Sequence, residues 1–192
     1  MTIDIMLDLE TLDNKVPAAI TQIGAIAFDR RLRKPIDEFS INVDADSCQK
    51  RGMTISGSTV MWWMKQAEDV RRSLIEPVPV NIDQALNAFR AWLFSHFPST
   101  RTGIRRPGEI EKFRVWCHAS FDFPIINRAF DLCNIPTPWG YRDYVDLRTM
   151  VSFANVDPAD YAEVAGAHNA LADAKFQLRY TFASLEKLEN SH

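Results

Sequence analysis

Two closely spaced carboxylates end a mostly apolar, strand-like run near the start of this chain. Residues 3–9 read IDIMLDL and Glu10 follows, so Asp8 and Glu10 stand at positions i and i+2. On an extended backbone those two side chains leave the same face. A strand this apolar belongs at the buried centre of a sheet, where two like charges repel and lose their water unless a cation neutralises them. Hard divalent cations such as Mg²⁺ and Mn²⁺ prefer oxygen ligands of this type. D-x-E alone is a common tripeptide, so the weight lies on its strand context.

The segments around that strand define an order. Residues 20–28 (ITQIGAIAF) form a second β-rich run, and residues 38–43 (EFSINV) alternate as a half-buried strand does. Helical spacing then takes over. Ser58 or Thr59 is placed to cap a helix running to about Arg72, and Asn81 with Gln84 resembles a capping box opening a helix through about Phe97. Residues 98–112 hold Pro98, Gly103, Pro107 and Gly108 without periodicity and read as a loop or insertion. From Arg101 to Arg114 five basic residues (Arg101, Arg105, Arg106, Lys112 and Arg114) face two acidic ones (Glu109 and Glu111), which suits either a solvated loop or a substrate-facing one. FRVWC at 113–117 predicts a fourth strand, Asp122 ahead of Pro124 a helix to about Cys133, and residues 141–145 a fifth strand. Asp146 is expected to cap a short helix, and a long one is expected from near His168 to about Lys187.

Two further sites join the acidic pair. Asp122 follows an apolar strand at the start of a helix, where an N-cap role would explain it equally well. His168 and Asp173 are five residues apart, about 140° of rotation on one regular helix. They share a face only if Gly166 and Ala167 belong to a loop, leaving His168 ahead of the helix.

In this order, D-x-E on a first strand, Asp122 after a fourth and H-x-x-x-x-D opening the last long helix resemble the DEDDh branch of the DnaQ-like exonucleases. The resemblance covers nearly the whole chain. It implies an α/β, RNase H-like fold with a five-stranded mixed sheet, three antiparallel strands then two parallel ones, flanked by helices in a single exonuclease domain over residues 1–192. The runs DLETLD, TVMWWMKQ, ASFDFPII, VDLRT and HNALADAKFQ are similar to the subgroup that contains phage exodeoxyribonuclease A and bacterial exoribonuclease AS. Within those runs Leu9, Thr11, Leu12, Trp62, Phe121, Asp146 and Arg148 are candidate substrate-binding positions. One departure is visible. Many DEDDh enzymes carry an Asn three or four residues before the second-motif aspartate, whereas this chain has Cys117-His118-Ala119-Ser120 there.

The resemblance implies a two-metal hydrolase that takes nucleotides from a free 3′ end and releases 5′-mononucleotides. Two Mg²⁺ or Mn²⁺ ions roughly 3.5–4 Å apart would activate water and clamp the attacking and leaving oxygens. Asp8 would bridge them, Glu10 and Asp173 would complete one site, and Asp122 would support the other. His168 would be the general base. A net charge of −3 argues against a generic polyanion binder, so metal ions would supply much of the positive charge. RNA is favoured slightly over DNA because no duplex-binding basic face is obvious. A non-catalytic nucleic-acid-binding module would be expected to have lost one of the five residues, and a generic α/β protein would use them as caps and surface charges.

The rest concerns surroundings. Three cysteines without C-x-x-C spacing suggest buried thiols rather than disulfides or zinc. Met-Thr-Ile-Asp leads straight into a strand, unlike a charged leader, and no apolar run approaches a membrane span, so a soluble cytoplasmic protein is expected. On the helix opened by Ser58 or Thr59, Trp63 falls in the apolar arc and Trp62 on the polar face. An exposed Trp62 could stack on a base, pack against a second subunit in a homodimer, or lie under the 98–112 loop.

Overall fold

A computed structural model describes residues 3–96, 113–162 and 168–190. Five strands form one sheet in the order β3-β2-β1-β4-β5. They are β1 (Ile3–Thr11), β2 (Ile20–Asp29), β3 (Lys34–Asn42), β4 (Val115–Cys117) and β5 (Tyr144–Asp146). The first three pair antiparallel, while β4 and β5 run parallel to β1. The expected α/β, RNase H-like arrangement of three antiparallel strands then two parallel ones is therefore present.

Seven helices flank the sheet among the described residues: α1 (Ala45–Lys50), α2 (Gly57–Trp63), α3 (Glu68–Ser73), α4 (Ile82–His96), α5 (Asp122–Leu132), α6 (Leu147–Ala154) and α7 (Ala170–Asn190). The strand period of two sorts the apolar residues into two layers. Ile5, Leu7 and Leu9 of β1 join Leu86 and Phe89 of α4 and Ile126 and Phe130 of α5 on one side. On the other, Met6, Ile26 and Phe28 pack with Leu147 of α6 and Ala174 and Leu178 of α7. Asp8 and Glu10 share a side-chain direction with Met6, so they face the α6–α7 layer.

Several boundaries differ from expectation. The helix expected from 58 to 72 is broken in two. Ala67 leaves the helical region at ψ 157°, and α3 restarts with Glu68 and Asp69 in its first turn and Arg71 and Arg72 in its last, charges that suit the helix dipole. Helix α1 went unanticipated because six residues are too few to show a period, although Asp44 caps it by accepting from Asp46 N and Ser47 N. Strand β3 begins at Lys34 rather than 38; it is an exposed edge strand that carries Pro35 at a register shift, where a missing N–H does little harm. Strand β4 starts at Val115 rather than 113, β5 spans 144–146 rather than 141–145, and α7 starts at Ala170 rather than His168. The caps at Asn81, whose Oδ1 accepts from Asp83 N, and at Asp146, which accepts from Thr149 N, are as expected. The 98–112 loop, the helix end expected near Phe97 and the Gly166-Ala167 segment lie outside the described residues. No helix among those described is long and apolar enough to cross a membrane.

One close approach places the last helix. A Cβ added to Gly24 of β2 would stand 2.2 Å from the carbonyl carbon of Ala170, so only a glycine lets the start of α7 rest on the strand. The neighbouring Gln22 fixes the contact: its Oε1 accepts from Ala170 N, while its Nε2 donates to Ser73 O and Asn42 Oδ1. Gly24 also faces Asp8 across the β1–β2 ladder. The strand that bears the acidic pair and the helix that bears Asp173 thus meet at one glycine. Gly24→Ala should force backbone apart and cost about 2–3 kcal/mol or more, read as a lower urea midpoint, whereas a midpoint unchanged within error would show that α7 is held elsewhere.

Candidate active site

The four carboxylates expected from sequence converge. Asp8 and Glu10 leave β1 on the α7 side, Asp122 opens α5 just beyond β4, and Asp173 lies in the first turn of α7. Asp122 is the first helical residue rather than the N-cap, which is Phe121. Its carboxylate accepts from His118 N at 2.9 Å and from Leu9 N at 3.2 Å. The second of these bonds ties α5 to the strand between the two acidic residues. Asp8 Oδ1 accepts from Gln177 Nε2 at 2.5 Å, and Asp173 Oδ2 accepts from His168 N at 3.0 Å.

His168 precedes α7, with φ at 67°. A left-handed backbone at a non-glycine residue costs of order 1 kcal/mol or more, and the bond from its own N–H to Asp173 holds the turn. The ring is flanked by Trp62 edge-to-face at 4.8 Å and by Trp63 at 6.3 Å. Trp63 is buried and donates from Nε1 to Thr11 O, as its apolar arc implied. Trp62 is 42% exposed. Contact with His168 was not among the readings considered for it, because helix periodicity fixes a direction and not a neighbour.

Burial and mutual repulsion raise the acids. Asp8 is pushed well above the carboxylate range by burial and then by the charges of Asp122, Glu10 and Asp173. Burial and the Asp173 charge push Glu10 up to about 9. Burial lifts Asp122 to about 7 against the pull of its two backbone bonds, and it also raises Asp173, which its hydrogen bonds with Glu10 and His168 N draw back. Without a cation, burial and mutual repulsion thus favour the protonated form of both Glu10 and Asp173. Such a cluster is suited to divalent cations. Two groups offer ligand atoms all within 4.8 Å of one another: Asp8 with Asp122 and His118, and Glu10 with Asp173 and His168.

His118 and Gln177 were not singled out by sequence. Gln177 follows Asp173 by four residues and so shares its helix face, a signal the motif spacing offered. His118 figured only as one of the residues, Cys117 to Ser120, standing where an Asn was expected. Burial and the Arg148 charge push its imidazole down to about 4. Both residues line a cleft of about 360 Å³ with Asp8, Asp173, Arg148 and Tyr180.

The substrate-binding candidates divide. Arg148 lines the cleft and donates to Ser120 Oγ. Asp146 lies deeper in the scaffold, accepting from Ala119 N and from the Thr149 hydroxyl and N–H; burial opposes these bonds, yet its carboxyl stays below the usual range. Leu9 turns its side chain into the core on the far face of the sheet, and Leu12 and Phe121 pack at the edge of that same core. Thr11 is buried, with its hydroxyl on Asp13 O.

Comparison with known proteins agrees with this layout. The family model of the 3′-5′ exoribonuclease Rv2179c-like domain matches residues 3–185. Among solved structures, the nuclease domain of 3′hExo, a DEDDh family member bound to rAMP, is 12% identical with a TM-score of 0.63, covering 96% of this chain and 92% of that one. The 3′-exonuclease of the histone mRNA stem-loop complex gives 12%, 0.64, 96% and 82%. The zinc-bound Escherichia coli ExoI–ssDNA complex is 16% identical with a TM-score of 0.64, covering all of this chain but 42% of that one. At these identities the likeness is one of fold. No curated protein sequence matches.

The raised carboxyls set a pH dependence. A folded-state pKa above the unfolded value means that the native state holds more protons, so stability is fully present below the ordinary carboxylate range and is lost as pH rises. In chelator, melting temperature should therefore fall as pH climbs from about 4.5 towards about 9, the interval over which Glu10 is displaced. Saturating Mg²⁺ or Mn²⁺ should flatten the fall. A metal-free melting temperature that rises over that interval would contradict the electrostatic account.

Proposed function

The chain belongs to the Rv2179c-like 3′-5′ exoribonuclease domain family, and from that premise we propose that this 3′-5′ exonuclease domain of the DEDDh type hydrolyses RNA, releasing 5′-mononucleotides. The observation that carries the proposal is the convergence of Glu10, Asp122 and Asp173 on Asp8, with a ring nitrogen of His168 beside Glu10 and Asp173. In this reading residues 1–192 are one exonuclease domain. Three free, buried cysteines suit a reducing, cytoplasmic location.

Asp8, Glu10, Asp122 and Asp173 would hold two divalent ions, Mg²⁺ or Mn²⁺, with Asp8, in electrostatic contact with the other three, as the carboxylate placed to serve both. Bound there, the ions would supply charge neutralisation at the phosphate and a more acidic water. The protein's own groups do the remainder. His168 takes the proton of the attacking water on a ring nitrogen, its backbone fixed by Asp173 and its ring by Trp62. Gln177 holds Asp8 against rotation. Arg148 meets a phosphate oxygen entering the cleft. The preference for RNA is supported by the family description; the slight basic excess expected at 101–114 lies largely outside the described residues.

The direct test uses 5′-labelled RNA and DNA oligonucleotides with free 3′ ends, with and without Mg²⁺ or Mn²⁺. A shortening ladder on RNA that vanishes in chelator and in Asp8→Asn is expected. A ladder confined to DNA would replace the substrate, and full activity in Asp8→Asn would remove the site.

His168 and Trp62 separate chemistry from binding. His168→Ala should keep metal affinity and lose about 10²–10⁴ in rate, the usual contribution of a general base; loss of metal affinity instead would make it a ligand. Trp62→Ala should weaken oligonucleotide binding by about 1–3 kcal/mol if the indole stacks on a base. Elution as a smaller species would identify a subunit contact instead, and unchanged affinity and size would exclude both roles.

A further inference from the structure

The half of the cleft between Asp8 and Asp122 is short of free oxygen atoms. Both carboxylate oxygens of Asp122 already accept a backbone N–H, from Leu9 and His118, and Asp8 Oδ1 already accepts from Gln177. Gln177 itself is buried, and its Oε1 has no hydrogen-bond partner. Beside Asp8 Oδ2 and Gln177 Oε1, an imidazole nitrogen also faces this position. His118 Nδ1 stands 3.9 Å from Asp122 Oδ2, too far for a hydrogen bond. Its ligand atom lies within 4.8 Å of those of both Asp8 and Asp122. Ligands on one octahedral ion with bonds of about 2.1 Å are about 3 Å apart when adjacent and about 4.2 Å when opposite, so a small contraction would bring all three within coordinating range.

On the reading that this is a metal-dependent exonuclease, we propose that His118 supplies a nitrogen ligand to the cation held between Asp8 and Asp122, biasing that position towards Mn²⁺ over Mg²⁺. The side chain is free for that role. The backbone of His118 does the structural work, its N–H bonding Asp122 Oδ2 and its carbonyl accepting from Phe121 N and Asp122 N. Its ring makes no hydrogen bond among the described residues and borders the same cleft as Asp8 and Asp173. A nitrogen ligand raises affinity along the divalent series from Mg²⁺ towards transition metals, whereas a site built from oxygen alone suits Mg²⁺. The Asn expected at this place would offer an amide oxygen, so the replacement changes donor chemistry without disturbing the turn.

Metal-free full-length protein loaded with Mn²⁺ tests this directly. Electron spin-echo spectra should show a directly bound ¹⁴N nucleus in the wild type and in His168→Ala, and none in His118→Ala. Calorimetry should find one Mn²⁺ binding step weakened at least about tenfold in His118→Ala, with Mg²⁺ binding changed much less. Coupling that disappears in His168→Ala assigns the nitrogen to His168 and overturns the proposal, even if His118→Ala fails to fold. Stoichiometric Mn²⁺ binding and RNA hydrolysis without nitrogen coupling overturn it while leaving the exonuclease reading intact. Absence of both metal binding and hydrolysis overturns the two together.

Discussion

Repulsion among four carboxyl groups is the constraint around which this fold is arranged. A sheet strand, two helix starts and the packing of α7 on β2 all converge on a place where charge is unwelcome without a cation. The protein meets that cost with geometry. Asp122 is held by backbone donors from two segments, Asp8 by the amide of Gln177, and Asp173 by the N–H of His168. Glu10 has no comparable donor among the described residues and is the group pushed up to about 9. The scaffold keeps the acids close enough to need a cation, and fixed enough to receive one without rearrangement.

The sheet and most of the acidic cluster were legible because each rests on a short-range pattern. The apolar run of β1 implied a central strand, and the i, i+2 spacing put Asp8 and Glu10 on one face. Asp122 could not be separated from an ordinary cap by local reasoning, since its distinguishing partner, Leu9 N, is 113 residues away. The same limit explains Trp62, whose neighbour His168 comes from the other end of the chain. Short helices such as α1, and the break at Ala67 between α2 and α3, fall below the window in which periodicity speaks. Leu9 shows the opposite error: a place inside a motif suggested substrate contact, while strand alternation already turned its side chain towards the core.

The cleft has two unlike halves. Around Glu10, Asp173 and His168 burial raises both carboxyls and the imidazole leans on tryptophan. Around Asp8, Asp122 and His118 three of the four carboxylate oxygens accept structural hydrogen bonds, and the imidazole makes none among the described residues. The two positions are therefore not interchangeable in donor supply, although Asp8 lies close enough to act on both.

The bonds that hold the acids also bear on how an inactive form is chosen for trapping a bound oligonucleotide. Replacing Asp122 removes the acceptor that joins the start of α5 to Leu9 N in the middle of β1, and replacing Asp173 releases the turn that carries His168, so either change alters the shape of the cleft along with its charge. Glu10 anchors no backbone segment among the described residues. Glu10→Gln deletes a charge and leaves the main-chain tethers of Asp122 and Asp173 in place, which makes it the less distorting bait for capturing the undigested 3′ end.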